Sequence, residues 1–308
     1  MEQTARFEGL FAATLTPFDE NGHASTRLTK EYGERLVREG VTGVFCCGTS
    51  GESMSLTLPE RKAALEAWLT TPLRVIVHIG TASLEQTKEL AAHAEKAGAH
   101  GIALMPPFFF KPRNVEELVS YCESVAEAAP HTPLFYYHFP GMVGVNIPLY
   151  DFFAAASSRI PTLQGAKFTD SQLGDFFRAL CFADRKYDVM QGYEFSYLPC
   201  LVLGAKGYVG VSFSLCAPVY HRLDKAFHEG DFATAQRLQL AVSDFLTTVL
   251  NYSMIPAVKA LAKEWTGLDF GGVRKPLVSL TDAERTKLLN EPSVKTMHAL
   301  VLEHQPKQ

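Results

Sequence analysis

Short apolar runs alternate with amphipathic segments along most of this chain. Eight such runs occur, each four to seven residues long, and their nearly continuous apolar character is typical of strands covered on both faces. The segments between them repeat apolar residues with helical spacing, and in 115–129 seven apolar side chains fall on one stripe. The eight runs span 9–15, 44–47, 75–79, 102–105, 134–139, 163–169, 187–191 and 208–213.

Eight strands that alternate with helices predict the α/β class and, within it, a closed (β/α)8 TIM barrel. Two capping patterns, Thr57-x-x-Glu60 and Ser83-x-x-Gln86, predict helix starts. From about Tyr220 the pattern is helical only, with helices predicted over 231–250, 255–266 and 281–289. The predicted organisation is a barrel over 1–219 and C-terminal helices over 220–308, packed together as a single structural unit.

Composition narrows the class of partner. The 308 residues are 47% hydrophobic and 20% charged, with a net charge of -4, which gives no electrostatic footprint for nucleic acid or an anionic membrane. No apolar run approaches the length of a membrane span, and Met1–Arg6 does not begin a secretory signal. We therefore expect neither nucleic acid nor a membrane as a partner.

Cysteine and histidine spacing bears on location and on metals. The six cysteines form no Cys-x-x-Cys pattern, and two of them, Cys46 and Cys47, are adjacent within an apolar run. This pattern predicts buried, reduced thiols and a cytoplasmic location. The ten histidines are dispersed, without the spacing of a metal-binding motif, so we expect no metal site.

Lys167 is the first candidate for chemistry, because it lies inside the apolar run 163–169. Burial disfavours the charged form of an amine, and a neutral amine can attack a carbonyl carbon to form a Schiff base. The structural alternative is a lysine at the end of a strand whose amine reaches solvent.

Other polar residues follow the predicted strands at the end where barrels hold their active sites. Each has an ordinary structural explanation taken singly, as a turn, a packed aromatic residue or a helix cap. Taken together they predict one pocket containing an amine, a phenol and several hydroxyl and amide donors. They are Thr49 and Ser50 after strand two, Tyr137 late in strand five, Lys167 and Thr169 at the end of strand six, Gly192, Glu194 and Phe195 after strand seven, and Ser212 at the end of strand eight.

Three stretches, 48–52 (Gly-Thr-Ser-Gly-Glu), 136–140 (Tyr-Tyr-His-Phe-Pro) and 165–169 (Gly-Ala-Lys-Phe-Thr), resemble signatures of the pyruvate-dependent class I aldolases. The resemblance runs from about Gly9 to Leu289, and the stretches 78–80, 107–112 and 160–165 look most like the sialic acid lyases of animal type. It implies a homotetramer without a cofactor that reversibly cleaves N-acetylneuraminate to N-acetylmannosamine and pyruvate. The partner that it implies is a small-molecule 2-oxo acid substrate.

The same resemblance assigns roles to the candidate residues. Lys167 is expected to form a covalent imine with the 2-oxo carbon, and Tyr137 to shuttle protons at the C4 oxygen. Thr49 and Ser50 are expected to hold the pyruvate carboxylate. The remaining candidates, expected to line the substrate site, are Thr169, Gly192, Glu194, Phe195 and Ser212.

Some positions depart from the family pattern and keep alternatives open. The sialic acid lyases carry two acids after Gly-Tyr, whereas here Glu194 is followed by Phe195, which cannot accept a hydrogen bond. An aldolase for another 2-oxo deoxy sugar acid is therefore a second hypothesis. Met142 stands where dihydrodipicolinate synthases have an arginine, which disfavours that activity, and Phe110 stands where many relatives have a tyrosine. A non-enzymatic keto-acid or sugar sensor is the third hypothesis.

Overall fold

The computed structural model describes residues 6–305, and within them eight parallel strands close into a barrel in chain order. The last strand pairs with the first, so the predicted (β/α)8 barrel is confirmed. The prediction about a secretory signal concerns the start of the chain, where residues 1–5 lie outside the described residues. The strands are β1 Gly9–Ala13, β2 Gly43–Cys46, β3 Arg74–His78, β4 Gly101–Leu104, β5 Leu134–His138, β6 Leu163–Phe168, β7 Asp188–Gln191 and β8 Gly207–Gly210.

The strand register places the two candidate catalytic residues side by side. Tyr137 on β5 pairs with Lys167 on β6, which pairs in turn with Met190 on β7. Paired residues of neighbouring strands point to the same face of the sheet. The amine and the phenol therefore occupy the same level of the barrel.

Helices follow the strands and continue beyond the barrel. At Thr57 the predicted capping box is complete, and the Ser83 hydroxyl accepts a hydrogen bond from the Gln86 N–H. The helices are α1 Thr29–Arg38, α2 Leu58–Leu69, α3 Leu84–Ala97, α4 Val115–Ala126, α5 Pro140–Val143, α6 Leu149–Ala156, α7 Leu173–Leu180, α8 Tyr197–Val202, α9 Phe213–His228, α10 Phe232–Asn251, α11 Met254–Thr266, α12 Asp282–Asn290 and α13 Pro292–His304, with 3-10 turns at Ser53–Ser55 and Glu194–Ser196.

The region around β8 differs from the sequence prediction. The run 208–213 was predicted as one strand, but β8 ends at Gly210 and α9 begins at Phe213, so that Ser212 is the N-cap position of α9. Both β8 and the start of α9 are buried, so the apolar run continues across the junction. The hydrophobicity pattern therefore does not show where the strand ends and the helix begins. The predicted boundary after residue 219 falls inside α9.

A buried ion pair connects the barrel to the C-terminal helices. Lys259 on α11 donates to Glu52 Oε1 at 2.7 Å and to the Gly272 carbonyl at 2.7 Å. The other oxygen of Glu52 accepts the backbone N–H of Arg274 at 2.9 Å. Since Glu52 ends the turn after β2, the C-terminal region directly supports one edge of the barrel mouth.

Among the described residues, no single helix meets the length and hydropathy of a membrane span, and the pair α10 and α11 meets them only together, across a bend of 113°.

All six cysteines are free thiols, and five are buried. The expectation of buried thiols is wrong for Cys181, which is exposed in the turn after α7.

Candidate active site

The Lys167 amine lies at the centre of the barrel mouth, with the side chain only 5% exposed. Its Nζ atom is 4.2 Å from the ring centroid of Phe45 and 4.3 Å from that of Tyr137. Aromatic faces attract a cation, and an iminium formed at this nitrogen would be a cation. The predicted burial of the lysine is thus observed, with aromatic rings as its immediate surroundings.

Tyr137 is connected to the turn after β2. Its hydroxyl oxygen is 3.3 Å from Thr49 Oγ1, and its ring contacts that of Phe45 edge-on, with centroids 5.4 Å apart. Thr49 and Ser50 are both partly exposed at the mouth. The contact brings together the phenol and the Thr49 hydroxyl, which the sequence predicted from separate strands.

Gly192 and Thr169 lie against the lysine side chain. A Cβ atom added at Gly192 would come within 3.0 Å of Lys167 Cε and would also collide with the Thr169 hydroxyl. A residue with a side chain at this position would displace the lysine. Thr169 Oγ1 is buried without a hydrogen-bond partner among the described residues, so a polar group remains available next to the amine.

Glu194 and Ser212 form a second polar cluster between β7 and β8. Glu194 Oε1 accepts hydrogen bonds from the Ser212 backbone N–H at 2.9 Å and from the Ser212 hydroxyl at 2.6 Å. The Ser212 hydroxyl also lies 2.7 Å from Tyr220 OH on α9. A Cβ atom at Gly210 would come within 2.6 Å of Glu194 Oε1, so glycine there leaves room for the carboxylate.

The charge of Glu194 depends on opposing effects. Burial raises the pKa of the Glu194 carboxyl above its ordinary value, while the Ser212 hydrogen bonds and the charge of Lys167 act in the opposite direction. The lysine charge therefore reaches Glu194, which places the second cluster in the same electrostatic environment as the amine.

The departures from the family pattern lie at the edge of this mouth. The Phe195 ring packs 5.2 Å from that of Tyr193, and the Phe195 carbonyl accepts a hydrogen bond from Gln239 on α10. Phe110 and Met142 are exposed, at 83% and 58%. Within residues 6–305 no group of three or more metal-ligating side chains occurs.

Several residues of this site were not singled out from the sequence. Phe45 has the apolar character of any buried strand residue, although its ring contacts Lys167. Tyr220 lies on α9, eight residues after Ser212, and no motif around it predicts its contact with the Ser212 hydroxyl. His78 on β3 is buried, and its ring contacts that of Tyr137 edge-on with centroids 5.7 Å apart. The stretch 78–80 resembles the sialic acid lyases, but the sequence predicts no role for His78, a polar residue at the end of a buried strand.

The sequence of this chain is similar to those of known proteins along most of its length. Residues 6–293 match the model of the dihydrodipicolinate synthetase family. The chain belongs to the dihydrodipicolinate synthetase family. It is 35% identical over 306 residues to N-acetylneuraminate lyase of Mus musculus, covering 94% of this chain and 96% of that protein. It is also 35% identical to N-acetylneuraminate lyase of Homo sapiens, over 92% of each chain.

Solved structures give the same result for this member of the dihydrodipicolinate synthetase family. The N-acetylneuraminate lyase of Aliivibrio salmonicida superposes with a TM-score of 0.92 at 33% identity, covering 98% of this chain and all of that one. The Proteus mirabilis enzyme superposes with a TM-score of 0.91 at 33% identity, covering 95% and 99%. The resemblance predicted from three short stretches is thus confirmed over nearly the whole chain.

Proposed function

We propose that this chain is a Schiff-base (class I) aldolase that reversibly cleaves N-acetylneuraminate to N-acetylmannosamine and pyruvate. The observation that carries the proposal is the buried amine of Lys167 beside Tyr137, whose hydroxyl contacts Thr49. The similarity to N-acetylneuraminate lyases supports the choice of substrate. No cofactor is needed, because the imine itself accepts the electrons released on cleavage.

The reaction follows from these groups. The Lys167 amine attacks the C2 carbonyl, and loss of water gives an iminium. Tyr137, acting as a phenolate after releasing its own proton to water, takes the proton from the C4 hydroxyl as the C3–C4 bond breaks, and the bonding electrons move into the iminium to give an enamine. The aldehyde product leaves, C3 accepts a proton, and water hydrolyses the imine to release pyruvate and the free lysine. Thr49 and Ser50 hold the carboxylate.

Tyr137→Phe is expected to lower kcat by about 10²–10⁴, the usual contribution of a positioned acid–base group. Imine formation does not need the C4 proton transfer, so borohydride trapping of pyruvate on Lys167 should persist. Steady-state kinetics and intact mass measure the two effects. Tyr136→Phe is the matched control, because the neighbouring Tyr136 is buried and stacks on Phe152. Equal losses in both variants would remove Tyr137 from the proton transfer.

Glu194 gives the proposal a pH dependence. Because burial raises the pKa of Glu194, the carboxylate becomes protonated at a higher pH than an ordinary glutamate and then loses an acceptor site for a substrate hydroxyl. KM for the sugar acid should therefore rise as the pH falls through that pKa. Glu194→Gln should raise KM about tenfold at neutral pH and abolish this dependence. An unchanged KM–pH profile in the variant would exclude Glu194 from substrate binding.

Phe195 favours a second candidate substrate, because a phenylalanine cannot pair with a hydroxylated tail. We compare pyruvate release from N-acetylneuraminate and from 2-keto-3-deoxygluconate at equal concentration. Faster release from N-acetylneuraminate supports the proposed activity. Turnover of the shorter acid with little release from N-acetylneuraminate would keep the Schiff base and assign a different sugar acid. No trapping with pyruvate and borohydride would favour the non-enzymatic sensor.

We propose a homotetramer from the family resemblance, and the exposed apolar rings of Phe109 and Phe110 supply surface for a subunit contact. Light scattering on the purified protein tests the assembly. The six free cysteines support a cytoplasmic location.

A further inference from the structure

Three buried residues form a closed ring of hydrogen bonds beside the turn that contains Thr49. The Cys47 thiol donates to the Arg61 carbonyl at 3.7 Å, the Arg61 guanidinium donates to the His78 carbonyl at 2.6 Å, and the His78 Nδ1–H donates to the Cys47 carbonyl at 3.0 Å. We call this arrangement the Cys47–Arg61–His78 ring. It joins the end of β2, the first turn of α2 and the end of β3.

The ring fixes an unusual backbone position. Cys47 has a φ of 53°, in the left-handed region that residues with a side chain rarely adopt. The chain turns there from β2 into Gly48, Thr49 and Ser50. Since the carbonyl of Cys47 is held by His78, the direction in which the turn leaves the strand is set by the ring.

The ring also contains a positive charge without an acidic partner. Arg61 is only 3% exposed, and its guanidinium donates to the carbonyls of His78 and Gly80. The titratable groups that act on it are the thiols of Cys46 and Cys47, and in the described part of the chain no carboxylate is among them. Arginine keeps its charge even when buried, and a buried charge without an opposite charge beside it is costly, so an anion bound near Arg61 would be stabilised by it.

The charge of Arg61 also affects the pKa of His78. Burial lowers the pKa of His78 well below its ordinary value, and the charge of Arg61 lowers it further. The imidazole is therefore neutral. Its Nδ1 proton is committed to Cys47, and its Nε2 atom is without a partner among the described residues. No second cation competes with Arg61 inside the ring.

We propose that Arg61 is a positioning residue whose buried charge favours the anionic carboxylate of the 2-oxo acid at the turn formed by Gly48, Thr49 and Ser50. The ring ties Arg61 and His78 to Cys47, the residue before the turn, while the turn's own neutral donors are placed to make the direct contacts. This inference rests on the proposed function, because the anion concerned is the carboxylate of the substrate.

The experiment compares pyruvate with pyruvamide, which has the same ketone and no negative charge. Each is trapped on the enzyme with borohydride, and intact mass gives the concentration for half-maximal trapping. The wild-type chain should prefer pyruvate. In Arg61→Met this preference should fall about tenfold, because a desolvated charge acts on the anion alone. Arg61→Lys keeps the charge and should keep most of the preference.

Lys62→Met is the matched control. Lys62 is the next residue of α2, and it pairs at the surface with Glu89, so its loss removes the same charge without touching the ring. The preference should stay at the wild-type value in this variant. If Arg61→Met does not fold, Arg61→Gln, which keeps two N–H donors for the carbonyls, takes its place in the same comparison.

The outcomes separate the inference from the proposed function. A wild-type preference near one, or an undiminished preference in the neutral Arg61 variant, overturns the role of the charge. An equal loss of affinity for both ligands assigns Arg61 a structural role only, and this also overturns it. No trapping of either ligand by the wild-type chain instead contradicts the proposed function.

Discussion

Lys167→Ala is expected to lose turnover by roughly 10⁴-fold or more, because the reaction then has no nucleophile to form the imine. The variant should also gain no mass from pyruvate and borohydride. Its fold should persist, since the lysine amine lies over the rings of Phe45 and Tyr137 and no hydrogen bond of that amine occurs within residues 6–305. Steady-state kinetics, intact mass and a thermal melt measure the three properties.

Lys206→Ala is the matched control for this prediction. Lys206 precedes β8 at the opposite end of the barrel, with its side chain 73% exposed, and pairs with Glu8 at 3.5 Å. Turnover and trapping should be unchanged in that variant. If Lys167→Ala still gains mass from pyruvate and borohydride, Lys167 does not form the imine. The proposed Schiff-base site at the barrel mouth would then be wrong.

Lys259→Met is expected to lower the free energy of unfolding by about 3–5 kcal/mol, the usual cost of leaving one member of a buried ion pair alone. The side chains of Lys259 and Glu52 are 3% and 0% exposed, so neither charge can recover its hydration. Methionine keeps the length of the alkyl chain, which confines the change to the charge. Urea denaturation followed by circular dichroism measures the effect.

The control lies on the same helix. Lys263→Met removes a charge that pairs with Asp269 at 2.7 Å, but both side chains are about half exposed, so a loss of at most about 1 kcal/mol is expected. Adding Glu52→Gln to Lys259→Met should restore part of the stability, because it removes the uncompensated carboxylate. A Lys259→Met variant as stable as Lys263→Met would contradict the assignment of this pair as the tie between barrel and C-terminal helices.

The strand count and the places of two candidate residues on the strands were predictable for one physical reason. Strands covered on both faces must be apolar throughout, so a polar residue at the end of such a run stands out. Lys167 and Tyr137 were identified in this way, on separate strands, and the register now places them side by side. The end of β8 was not identifiable, because an apolar helix follows the strand with only two residues between them.

Contacts between distant segments could not be predicted. The ring of Cys47, Arg61 and His78 joins three elements through backbone carbonyls, which carry no sequence signal. Glu52 and Lys259 are more than two hundred residues apart in the sequence. No motif around either residue predicts that the two side chains form an ion pair. Such contacts depend on how the closed barrel brings loops together.

The sequence by itself determined the barrel and its family and predicted Lys167 as the candidate amine, because periodicity and short motifs are local properties of the chain. Only the tertiary structure decided what surrounds that amine: the faces of Phe45 and Tyr137, the close approach of Gly192, and the link from Glu194 through Ser212 to Tyr220. The reason is that closure of the sheet sets these distances, and no single segment of the chain contains them.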